Sequence, residues 1–284
     1  MENNQSVILV PTDFTEVGDM ALKHAIGTAK QLGFAITLLH IINSETKAAL
    51  RKNNLTVANI NEKLATTAQQ IKKEHNVDTD FISKKGSIFS AISEVAEEVS
   101  ASMIMMGTHG KKGIQHLIGS YALKVITSVK IPTLVIQKEA EYAGSYKRIV
   151  LPIDNSVHTR QKFKWAIFMA KKLNSEIFII ASQESDPFAK RRLANNLGQV
   201  EKLLEENKLK FSTKLCEKSG SFGKQLLNYA ATVEADLMMI MTSPDQLIPN
   251  FIFGPLDDQI IYNKQMIPVL CVNPKDTNIQ IVGM

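Results

Sequence analysis

The chain has 284 residues, 44% hydrophobic and 21% charged, a composition that suits a globular protein of two ordinary domains. Its net charge of +5 is spread evenly, with 15 Lys+Arg against 13 Asp+Glu in residues 1–140 and 18 against 15 in the remainder. No basic stripe interleaved with aromatics speaks for nucleic acid, and no apolar run is long enough to span a bilayer.

Residues 1–5 lead into a strand with no basic region ahead of an apolar one, so a cytoplasmic protein without a signal peptide is expected. In the first half, apolar runs predict strands near 6–11, 35–42, 78–84, 102–107 and 132–137. Helices are expected near 16–32, 55–75, 87–100 and 119–129 between them. Met20, Ala21, His24, Ala25, Thr28 and Leu32 form a stripe at helical spacing, and Ser87 is the expected N-cap of the third helix. Strand–helix alternation with apolar strands implies a parallel sheet covered on both faces.

The second half repeats the first. Val7-Ile-Leu-Val-Pro-Thr-Asp13 returns as Arg148-Ile-Val-Leu-Pro-Ile-Asp154, and Lys85-Gly86-Ser87 as Ser219-Gly220-Ser221. Ala101–Met106 returns as Ala235–Ile240, and Ile131–Ile136 as Ile267–Val272, always in the same order. Two copies of one domain, 1–140 and 147–284, are expected, joined near Glu139–Tyr146. The terminal strands, Thr133–Gln137 and Val269–Val272, are apolar edges that need a partner.

The segment whose residue types point most to chemistry is Met106 to Tyr121, which holds Gly107, Gly110, Gly113 and Gly119 between an expected strand and an expected helix. Glycine amides at such a junction can converge on an anion. Neither the Walker pattern nor G-x-G-x-x-G is present. The spacing is Gly107-x2-Gly110-x8-Gly119-Ser120, with Gly119 and Ser120 expected to open the next helix. A plain strand-to-helix connection is the alternative. Asp13 ends the first strand, where it can cap the first helix, meet a ligand, or do both. Lys111 and Lys112 read as solvated loop lysines. Cys216 and Cys271 lie in apolar strand-like runs and read as buried structural thiols. The six histidines have no metal-ligand spacing.

These residues give the chain a resemblance to the universal stress protein family in its tandem form. The resemblance rests on Asp13, Leu39-His40-Ile41, Met106-Gly107-Thr108-His109-Gly110 and Gly119-Ser120, and it spans nearly the whole chain. One residue fewer than the family's nine separates Gly110 from Gly119. The resemblance implies two tandem Rossmann-like domains of the HUP type, each a five-stranded parallel sheet with helices on both faces, paired as a pseudo-dimer. It implies ATP or another adenine nucleotide in the first domain, with or without Mg2+. The implied contacts are Pro11, Thr12, Asp13, Ile41 and Met106 at the nucleoside and Gly107, Gly110, Gly119, Ser120 and Tyr121 at the phosphates. In the second copy Met241-Thr-Ser-Pro244 replaces the glycines and Pro255 follows Gly254, so no nucleotide is expected there by this mode. The implied role is a stress or signalling regulator and not a fast enzyme, since no oriented general base is evident. A nucleotide-free interaction module and a slow nucleotide hydrolase are the alternatives. A homodimer and an unidentified protein partner stay open; nucleic acid, membrane and metal partners are not expected.

Overall fold

Apolar strands alternating with amphipathic helices fold, in the computed structural model, into two compact α/β units that divide between residues 139 and 140. The structure describes residues 5–108, 116–138, 140–142, 144–242 and 259–273, and for 116–121 the backbone alone.

The first unit runs β1 (Val7–Pro11), α1 (Glu16–Leu32), β2 (Ala35–Ile42), α2 (Ser44–Lys52), α3 (Val57–His75), β3 (Thr79–Lys85), α4 (Ile88–Glu98), β4 (Ala101–Thr108), α5 (His116–Ser128) and β5 (Thr133–Gln137). Its strands are all parallel in the order β3-β2-β1-β4-β5. Side chains alternate across the sheet. Leu9, Leu39, Ile104 and Met106 therefore share one face with Ile92 and Val95 of α4, Val125 of α5 and Val129 just after it in a single buried cluster. Ile8, Val10, Leu38, Met103 and Met105, all fully buried, turn to the opposite face, where α1 packs along β1, β4 and β5. Each such side chain contributes about 1.5–3 kcal/mol of burial.

Local signals set the helix ends. Thr15 caps α1 by accepting from the Gly18 amide, and Gly33, at φ 74°, terminates it in the left-handed conformation. Of the expected stripe, Ala21, His24, Ala25, Thr28 and Leu32 are buried, while Met20 is only partly so. Ser87 caps α4 on the Ser90 amide. Two expectations need correction. The segment after β2 was not expected to be helical, yet α2 forms there; it buries none of its residues, so it has no apolar period to reveal it. In addition, α5 begins at His116 and not at Gly119, so Gly119 and Ser120 fall inside its first turns.

The second unit runs β6 (Arg148–Ile153), a 3-10 turn (Val157–Arg160), α6 (Lys162–Leu173), β7 (Glu176–Ala181), α7 (Pro187–Glu206), β8 (Phe211–Leu215), α8 (Phe222–Thr232), β9 (Leu237–Met241) and β10 (Val269–Val272). Its order, β8-β7-β6-β9-β10, repeats the first unit's order by rank, and every pairing is again parallel. Five parallel strands with covering helices in each half is the fold class expected. Cys216 follows β8, whose residues are mostly exposed, and not an apolar run; like Cys271 it is buried and unbridged. Among the described residues no helix is long and apolar enough to cross a membrane.

Candidate functional site

In the first unit β1 lies between β2 and β4, so the strand order reverses there. Crevices beyond the carboxyl ends of strands open at such reversals. A cavity of about 220 Å³ lies at this point. The ends of β1 and β4 line it with Pro11, Thr12, Asp13, Met106 and Gly107. The end of β2 adds Leu39, His40 and Ile41, and the start of α2 adds Asn43, Glu45 and Thr46. Thr15, Val17 and Gly18 come from the start of α1, and Ile88, Ile92 and Ala122 complete the wall. The structure thus brings together six of the ten residues singled out from the sequence: Pro11, Thr12, Asp13, Ile41, Met106 and Gly107. Gly110 lies outside the described residues. Gly119, Ser120 and Tyr121 are in α5 immediately before Ala122, and their side chains are outside the described residues too.

The turn after β1 is internally tied. Asp13 Oδ1 accepts from the Thr15 amide at 3.0 Å and from Thr15 Oγ1 at 2.6 Å. The Phe14 amide donates to Thr12 Oγ1 at 3.1 Å. Asp13 therefore organises the cap of α1 while its carboxylate borders the cavity.

Two glycines let this turn sit close to its neighbours. A Cβ on Gly18 would lie 3.1 Å from Thr12 Oγ1 and 3.2 Å from Asp13 Oδ1. A Cβ on Gly107 would lie 2.4 Å from Val17 Cγ1 and 2.5 Å from the Val17 carbonyl oxygen. Gly107 is thus required by the approach of α1 to β4, a packing reason distinct from the phosphate contact read from its motif.

His40 enters from β2. Its Nδ1 is 2.9 Å from the Thr12 carbonyl; a carbonyl can only accept, so Nδ1 carries the proton. Phe14 stacks on the ring with centroids 4.8 Å apart, and Lys63 Nζ lies 4.1 Å from the centroid of Phe14. Burial pushes the imidazole below its usual value. The Thr12 carbonyl and the Asp13 carboxylate oppose that, and Lys63 adds to it. His40, Gly18 and the α2 residues were not among the site residues read from sequence. His40 was marked only as the middle of the Leu39-His40-Ile41 stretch that carries the resemblance, a histidine in a mostly apolar strand.

The matching corner of the second unit is built differently. Asp154 Oδ1 accepts from the Ser156 amide at 3.0 Å, as Asp13 does from Thr15. Asn196 of α7 then donates to the Asp154 and Ser156 carbonyls at 2.8 and 3.0 Å, and accepts from Arg160 Nε at 3.1 Å. Lys162, 3% exposed, donates to the Pro152 carbonyl. Burial pushes its ammonium down to about 8, against the attraction of the Asp154 carboxylate. Among the described residues no group of three or more His, Cys, Asp or Glu side chains gathers as metal ligands would.

Comparison with known proteins shows the family. The model of the universal stress protein family matches residues 6–137 and again 145–273. The chain belongs to the universal stress protein family. One relative is universal stress protein MJ0531 of Methanocaldococcus jannaschii, 31% identical over 144 residues, which are 48% of this chain and 85% of the relative. Universal stress protein G of Salmonella typhimurium is 28% identical over 139 residues, 46% of this chain and 97% of that protein. Among solved structures, a universal stress protein from Archaeoglobus fulgidus superimposes with a TM-score of 0.75 at 19% identity, covering 95% of this chain and 99% of that one. At that identity the likeness speaks for the fold alone.

Proposed function

We propose that the first unit of this universal stress protein binds ATP or a related adenine nucleotide, and that binding biases a conformation or a protein interaction and does not feed rapid turnover. The carrying observation is the cavity at the strand-order reversal, bordered by the Asp13 carboxylate at the end of β1 and by Met106 and Gly107 at the end of β4. Its residues fit a nucleoside. Leu39, Ile41, Ile92 and Met106 offer apolar surface to a base, and Asp13 offers an acceptor to a ribose hydroxyl or base amino group. Phosphates would meet Gly110 and the Gly119–Ser120–Tyr121 stretch of α5. Mg2+, where present, would ride on those phosphates.

The second unit is proposed not to bind nucleotide by this mode, because Asn196, Arg160 and Lys162 already satisfy the groups at its corresponding corner. A cytoplasmic setting and an internal pseudo-dimer belong to the same proposal. Titration calorimetry with ATP, with and without Mg2+, should give one site per chain; two equal sites reject the asymmetry. D13A and S120A should each weaken binding about tenfold, the scale of one charge-assisted hydrogen bond. Unchanged affinity in both rejects the site. A nucleotide-free interaction module is favoured by one observation: about 220 Å³ is below the ~300–1,000 Å³ of most ligand pockets. Absence of nucleotide from the purified protein, together with no calorimetric signal, would decide for it.

A further inference from the structure

The turn Thr12–Asp13–Phe14 is held by its own hydrogen bonds and, from outside, by residues of β2 and α3. Phe14 sits at φ 61°, a left-handed backbone that an aromatic residue keeps only when its surroundings impose it. The imposed contacts are few. The Phe14 amide is held by Thr12 Oγ1, and its ring stacks on the His40 imidazole and carries the Lys63 ammonium over it. Thr12 is held in turn through its carbonyl by His40 Nδ1. Asp13 lies between these two anchored residues, one carboxylate oxygen committed to Thr15.

His40 is 6% exposed, and its Nε2 has no hydrogen-bond partner among the described residues. A leucine could fill that place without burying an unsatisfied nitrogen. What the imidazole supplies that an apolar side chain would not is the bond to Thr12 and the polar stack on Phe14. We propose that His40 is a positioning residue of this site: by gripping the Thr12 carbonyl and the Phe14 ring it sets the turn that presents the Asp13 carboxylate to the cavity. The proposal rests on the reading of the cavity as a nucleoside site only for its effect on binding, and not for the geometry.

The same arrangement makes the turn sensitive to protons. The charged groups facing His40 are Asp13 from the turn and Lys63 from α3; β3 sets the non-ionisable Ser83 in register with it. Protonation would place a second N–H at Nε2, buried and without an acceptor among the described residues, on a ring whose charge the Lys63 ammonium repels. Burial already opposes that step. The grip therefore holds at neutral pH and loosens as His40 takes up its proton on the acid side of the usual histidine value.

The test is an NMR titration of the full chain between about pH 7.5 and 5, following the His40 ring carbons and the amides of Asp13, Phe14 and Thr15. We expect those amides to shift with the midpoint of the His40 ring. In H40N, whose side-chain amide can stand where Nδ1 stood, they should keep their neutral-pH positions and show no such midpoint. H40L should displace them at every pH while the amides of β5 stay in place. Adenosine, which has no group titrating between about pH 5 and 8, should bind the wild type about tenfold more weakly at the acid end, the scale of one lost hydrogen bond to a charged group, and bind H40N evenly throughout. Amides that stay flat while the ring titrates overturn the proposal, and so does H40L with wild-type amide positions. The wild-type titration decides even if a variant fails to fold. If the amides follow His40 but adenosine binds none of the proteins, the positioning role stands and the nucleotide reading falls.

Discussion

Replacing Lys162 by Met should alter the pH dependence of the second unit's stability in a calculable way. Lys162 is 3% exposed on α6 and its ammonium is pushed down to about 8 from the ordinary 10.5 by burial. That gap is worth about 3 kcal/mol at 1.36 kcal/mol per unit. The sign follows from proton counting. Between about pH 8 and 10.5 the unfolded chain holds a proton on this amine and the folded chain does not, so stability rises with pH across that window. Below about pH 8 both states are protonated and the folded state carries the full cost of a buried charge. From about pH 7 to 9.5 the gain attributable to Lys162 is about 2 kcal/mol. In K162M this gain disappears. The Pro152 carbonyl loses its donor, at a cost of about 1 kcal/mol that does not vary with pH. Removal of the buried charge more than offsets that near neutrality, so K162M should be the more stable protein at pH 7. The assay is urea unfolding followed by fluorescence of Trp165, the chain's one tryptophan, buried in α6 three residues from Lys162. Equal pH dependence in wild type and K162M would refute the assignment of a protonated, desolvated amine to this position.

Three further expectations follow from the same packing. G107A places a methyl 2.4 Å from Val17 Cγ1 and 2.5 Å from its carbonyl oxygen, which should cost the first unit about 1–3 kcal/mol and speed hydrogen exchange in α1. Adding V17A relieves the side-chain contact but not the carbonyl, so recovery should be partial; full tolerance of G107A would show that α1 lies farther from β4. T15A removes the cap on Gly18 and the hydroxyl's bond to Asp13, while the amide's bond to Asp13 remains, and should lower the thermal stability of the first unit by about 1 kcal/mol. N196A leaves the Asp154 and Ser156 carbonyls without their α7 donor, costing about 1–3 kcal/mol at the Trp165-monitored transition; an unchanged midpoint would mean that α7 does not bind down that corner.

Much of the architecture was legible because it is written in local apolar periodicity. β1, β2 and β4 are short runs of Val, Ile, Leu and Met, and α1 and α4 carry both a buried stripe and a capping hydroxyl. α2 was missed because a helix that buries nothing leaves no period. The site divides along the same line. Asp13 is marked by its place after an apolar strand, and Gly107 by its neighbours in a glycine-rich stretch. Gly18 carried no such mark, since its need for space comes from a turn that folds back on it.

By itself, then, the amino-acid sequence determined the repeat, the strand–helix alternation, the parallel sheets and the asymmetry between the two copies, because each is carried by residues near one another along the chain or by their spacing. Only the tertiary structure decided that Gly107 answers to Val17, that His40 grips Thr12 from 28 positions away, and that Lys162 is buried against the Pro152 carbonyl. Those facts depend on which segments meet in space. A glycine, a histidine and a lysine have the same composition whether they face solvent, a ligand or a carbonyl, and it is the packing around them that sets their geometry and charge.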